Sequence, residues 1–74
     1  MTNLYLEIFR STDGKVLTTR GPFNNTEEAY VALSEEAAKY VKEQRYLRSI
    51  PYEDGTTVLD FGHYTVFGRL LLKE

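Results

Sequence analysis

The stretch from Asn25 to Leu47, NTEEAYVALSEEAAKYVKEQRYL, decides the fold, because it is the one long segment of the chain with helical periodicity. Tyr30, Leu33, Ala37, Tyr40 and Val41 recur at three- and four-residue spacing, with Ala29 and Ala38 beside them, and predict one buried stripe from Thr26 to about Leu47. Asn25 is placed as the N-cap, its side-chain oxygen accepting from the amide of Glu28, and Glu28 can answer in a capping box. Glu27 and Glu28 also suit the positive end of the helix dipole. The acidic and basic residues Glu27, Glu28, Glu35, Glu36, Lys39, Lys42 and Glu43 are expected to face water, with Glu35 four residues before Lys39 in the favourable order.

On either side of this helix the periodicity changes to two. Leu4 to Arg10 reads as a strand with Leu4, Leu6 and Ile8 on one face, and Asp13-Gly14 suits a tight turn into a second strand from Lys15 to Arg20. A two-residue loop sets Arg10 against Leu17 and Ile8 against Thr19; a longer loop from Ser11 shifts that register. Gly21-Pro22 ends the strand. Beyond the helix, Arg48 to Gly55 holds a proline and an Asp-Gly pair and reads as a connection. Thr56 to Phe61 and Tyr64 to Lys73 then form a second hairpin about Gly62-His63. Its two faces are Thr57, Leu59, Phe61, Tyr64, Val66, Gly68, Leu70 and Leu72 on one side, and Val58, Asp60, Thr65, Phe67, Arg69 and Leu71 on the other. Gly68, inside a strand pattern, marks a bulge or a close approach from the helix above it. The expected fold class is α+β: residues 1–74 form a single small domain of ββαββ order, a four-stranded antiparallel sheet with one long helix packed on one face.

Composition agrees with one ordered domain. Seventy-four residues leave no room for a second domain, and 42% hydrophobic with 14% aromatic residues is far from a disordered composition. A chain of this size removes only about 60% of its surface from water, so an apolar face left bare is costly. Nine basic and eleven acidic residues give a net charge of −2, which disfavours generic binding to phosphate backbones or anionic lipid. With no cysteine there is no disulfide, thiolate metal site or cysteine nucleophile. The longest uninterrupted apolar run, Leu70 to Leu72, is far short of a membrane span, and Met1 to Leu6 has no leader pattern, so a cytoplasmic location is expected.

Catalytic chemistry finds few candidates. His63 is the only histidine and sits at an expected hairpin tip near Asp60 and Thr65, which reads as a solvated turn beside a polar cross-strand pair. Adjacent helix residues such as Glu27-Glu28 and Glu35-Glu36 point about 100° apart and do not chelate together, and Glu53-Asp54-Gly55 is too short for a calcium loop. Phosphate-binding glycine loops and nucleophile elbows are missing. The reading is therefore a protein without catalytic residues, cofactor or metal.

Two surfaces remain. One helix covers one face of a sheet, so some of Tyr5, Phe9, Val58, Phe67 and Leu71, depending on register, are left on the other, with Arg45, Arg48 and Tyr52 beside them. These are the expected contact residues of a small adaptor or inhibitor that binds a protein partner and pairs with itself as a homodimer through the sheet face or edge. The alternative is a nucleic-acid-associated protein that uses Lys42, Arg45 and Arg48, near Tyr46 and Tyr52, at the basic C-terminal end of the helix. The same cations also suit the negative end of the helix dipole, which needs no ligand.

Overall fold

A computed structural model describes residues 3–42 and 47–73. The strands are β1 (Asn3–Arg10), β2 (Val16–Phe23), β3 (Arg48–Pro51), β4 (Thr57–Asp60) and β5 (Val66–Lys73), with one helix, α1 (Thr26–Ala37), between β2 and β3. They form an antiparallel sheet in the order β2-β1-β5-β4-β3 with α1 on one face. The α+β class with one helix stands. The sheet has five strands instead of four, because residues 48–51 of the expected connection pair with β4 as an edge strand. Pro51 is tolerated there because it is the last residue of an edge strand, where a missing amide interrupts no central ladder.

The helix begins as expected and stops early. Asn25 is extended, and its side chain accepts from the Glu28 amide at 2.9 Å. The Glu28 carboxylate accepts from the amide of Asn24, one residue before the cap, at 3.2 Å. The regular helix ends at Ala37, about ten residues short of the expected end. Lys39 and Tyr40 then donate backbone bonds to Glu36 and Ala37, a tighter winding that turns the chain away. Tyr40 and Val41 still pack against the core, from that turn instead of from a continuing helix.

The core lies between α1 and the face of β1, β4 and β5 that holds Leu6, Ile8, Leu59, Val66 and Leu70, with Phe61 beside them and Ala29, Ala32, Leu33 and Ala37 above. Gly68 is needed because a Cβ there would meet Leu33 Cδ1 at 2.8 Å: the close approach comes from the helix side chain. The expected core face of β5 is correct, although Tyr64 and Leu72 from that set are exposed. Thr57 pairs with Leu70 and Leu59 with Gly68, so the β4–β5 loop is longer than a two-residue turn. The resulting shift of two positions keeps every side chain on its expected face. In the first hairpin Arg10 and Lys15 close a loop from Ser11 to Gly14, Ile8 lies opposite Thr18, and two irregularities interrupt the β1–β2 register.

One helix residue departs from its expected surroundings. Glu36 is almost fully buried instead of facing water. Its carboxylate accepts from Arg20 Nη1 at 3.3 Å and Lys39 Nζ at 3.1 Å. Arg20 also reaches Glu35 at 2.9 Å, tying β2 to the helix. Glu36 recurs three residues after Leu33 and seven after Ala29, a spacing that marks the buried stripe in spite of its charge.

Candidate functional site: the uncovered sheet face

Alternation in β1 and β5 sends Tyr5, Glu7, Phe9, Phe67, Arg69, Leu71 and Lys73 to the side opposite the helix. Val58 joins them beside Arg69, and Ile50 beside Val58. The five expected face residues Tyr5, Phe9, Val58, Phe67 and Leu71 are thus brought together, each half-buried. Phe9 and Phe67 lie opposite each other with ring centroids 6.0 Å apart. A groove of about 310 Å³ opens between Phe9, Phe67, Val58, Ile50 and Tyr52, with Ser11 at its rim. Tyr5 packs at the other end against Gly21, where a Cβ would lie 2.9 Å from Tyr5 Cδ1 and where φ is +129°.

The centre of this face is charged, with one carboxylate paired to two cations. Glu7 Oε1 accepts from Arg69 Nε at 3.0 Å and from Arg69 Nη2 at 2.6 Å. Glu7 Oε2 lies 3.6 Å from Lys73 Nζ. The cations also rest on rings, Arg69 at 4.7 Å from the Phe9 centroid and Lys73 at 5.4 Å from that of Tyr5. Glu7 is only 9% exposed, so on this face it is covered by its neighbours' side chains. This network was missed in the sequence. Its signal was a lone acid at an odd position of β1 and a lone arginine at an odd position of β5, both among face-sharing aromatics.

The remaining expected residues fall less neatly. Tyr52 is 55% exposed and lines the groove. Arg48 is exposed on edge strand β3, opposite Asp60. Arg45 and Tyr46 lie outside the described residues. The basic cluster does not sit at the helix C-terminus: the last turn of α1 holds no basic residue, Lys42 lies beyond the helix, and Arg48 lies on a strand.

His63 has a structural part in the β4–β5 loop. Its Nδ1 accepts from the amides of Thr65, at 3.2 Å, and Val66, at 3.1 Å, and its ring meets the edge of Tyr40. Asp60 accepts from the Gly62 amide, closing the same loop, and does not pair across the strands with Thr65, whose carbonyl instead accepts from Ser11. Among the described residues no group of three potential metal ligands occurs, and no helix is long and apolar enough to cross a membrane. A second hollow of about 390 Å³ lies on the helix side, between Phe23, Asn24 and Asn25 at the start of α1 and Leu70 and Leu72 of β5. Comparison with known proteins finds no matching family, curated sequence or solved structure.

Proposed function

We propose that this chain is a small non-catalytic protein-binding module of adaptor or inhibitor type, acting as a homodimer through the uncovered face of its sheet. The observation that carries this reading is the contiguous row of Tyr5, Phe9, Val58, Phe67 and Leu71, with a groove beside it, on the side away from α1. A small domain has little apolar surface to leave in water, and aromatic and arginine side chains anchor protein interfaces.

The edges of the sheet support the face over the edge as the contact. On β2 the ladder is interrupted twice and holds Gly21-Pro22, while β3 is four residues long and ends in Pro51. Short, irregular, proline-bearing edges discourage strand addition.

Sedimentation equilibrium across the micromolar range tests the reading, with wild type beside Phe67→Asp. The expected outcome is a concentration-dependent dimer for wild type and a folded monomer for the variant. A wild-type monomer throughout, or assembly and partner capture unchanged in folded Phe67→Asp, overturns it.

A further inference from the structure

The central charges of the uncovered face determine how two copies can meet. Resting on the homodimer reading above, we infer that the dimer's two-fold axis runs parallel to the strands, between β1 and β5, so that Glu7 of each protomer lies over Arg69 of the other. A face-to-face pair of sheets related by a two-fold has its axis in the plane between them. If that axis ran across the strands through the Glu7–Arg69 row, each residue of the row would face its own copy. Glu7 would then meet Glu7, and Arg69 would meet Arg69, in a water-poor interface, a like-charge arrangement that works against association.

Turning the axis along the strands exchanges β1 with β5 and preserves each row. The pairs already adjacent within a chain, Glu7↔Arg69, Phe9↔Phe67 and Tyr5↔Leu71, are then the pairs that meet between chains. Aromatic meets aromatic, and the acid meets the base. Arg69 binds Glu7 through Nε and Nη2, and its Nη1 donates to no described residue, which leaves a donor for the second carboxylate. The network becomes two acids, two arginines and two lysines, framed by apolar side chains.

The area fits a second copy better than a short peptide. Three strands of eight residues and two of four cover a flat footprint of about 500 Å² at roughly 3.3 Å per residue and 4.8 Å between strands. Side-chain relief raises this toward the roughly 600 Å² per partner at the lower bound of stable interfaces. An identical flat face can cover it at once; a single extended strand spans a fraction of its width.

Paired charge reversal tests whether these charges meet across the face, and single cysteines then separate the two axes, because the mixed pair has opposite signs under either one. Glu7→Arg gives a face with two arginines and Arg69→Glu a face with two acids, so each variant alone is expected to self-associate at least tenfold more weakly than wild type. Mixed in equal amounts, they are expected to form a heterodimer, with all four cross-chain pairs of opposite sign. An intrachain role alone would give no recovery on mixing, because each chain keeps its own like-charge pair. Folded variants that dimerise as wild type does, or that fail to recover on mixing while wild type dimerises, overturn the axis but leave the homodimer standing. A monomeric wild type overturns both.

Single cysteines distinguish the axes, and they also serve if circular dichroism shows that the reversals unfold the chain. The proposed axis lays β2 of one copy over β4 of the other. Thr19→Cys mixed with Val58→Cys should then cross-link on oxidation as a heterodimer, faster than either alone. Self-cross-linking of Thr19→Cys as fast as the mixture overturns the arrangement.

Discussion

The two faces of β1 and β5 belong to the same sixteen strand residues and are held by different physics. On the helix side, Leu6 and Ile8 are fully buried, and a glycine makes room for Leu33. Shape decides the contacts among the buried apolar side chains there, and the one buried charge of the helix, Glu36, is held by Arg20 and Lys39. On the other side, half-buried aromatics surround a carboxylate held by two cations. Pairing decides the contacts here. The covered face is complete within one chain, while the uncovered face satisfies its charges and leaves its rings half in water. On the proposed reading, this difference separates residues that stabilise the fold from residues that contact a second copy.

The largest expected effect is on the covered face. Leu6→Ala should cost about 2–5 kcal/mol in urea denaturation, because it leaves a cavity in a packed core. Gly68→Ala should cost about 1–3 kcal/mol, since its methyl group meets Leu33 Cδ1 at 2.8 Å and that buried side chain must shift. A Gly68→Ala/Leu33→Ala pair losing less than the two singles combined would sharpen that assignment. On the uncovered face, Phe9→Ala should cost a dilute monomer about 1 kcal/mol, through its Phe67 and Arg69 contacts, while weakening self-association much more. Equal losses for Leu6→Ala and Phe9→Ala in the monomer would break the comparison between faces.

The smallest effect lies outside both faces. Arg10 donates two hydrogen bonds to Asp13 and the Lys15 amide donates another, which hold the Asp13 carboxyl at about 2, below its ordinary 3.8. A carboxylate with a depressed folded value stabilises the fold above its ordinary value, and that contribution disappears as pH falls through about 2. The pair lies at the surface, so a slight advantage of wild type over Asp13→Asn at pH 6 should be mostly gone by pH 2. A gap that persisted at pH 2 would point to a contact other than this ion pair.

Much of this division was legible in the sequence, for reasons that differ by element. The cap at Asn25 was readable because it depends on residues three apart. The faces of β5 were readable because alternation survives a two-residue slip of register. The end of α1 was not: between Ala38 and Leu47 there is no glycine or proline, and Tyr40 and Val41 continue the helical spacing while packing from a turn. Strand β3 was hidden by Pro51, whose usual meaning as a breaker is suspended at the end of an edge strand. The row Tyr5, Phe9, Val58, Phe67 and Leu71 could be assembled from alternation alone. Its charged centre could not, because the Glu7–Arg69 pairing depends on β1 and β5 being neighbours, a nonlocal fact.

That adjacency also sets an order of events. Glu7 and Arg69 are 62 positions apart, so the middle of the sheet forms only after the ends of a long loop have met. The β1–β2 hairpin and the capped start of α1 are local and can form early, but one side of β1 stays unpaired until β5 docks. Closing distant strands slows folding relative to local pairing, and an open apolar strand is exposed to intermolecular pairing in the meantime. The strand that completes the sheet therefore governs how long the nascent chain remains vulnerable to aggregation.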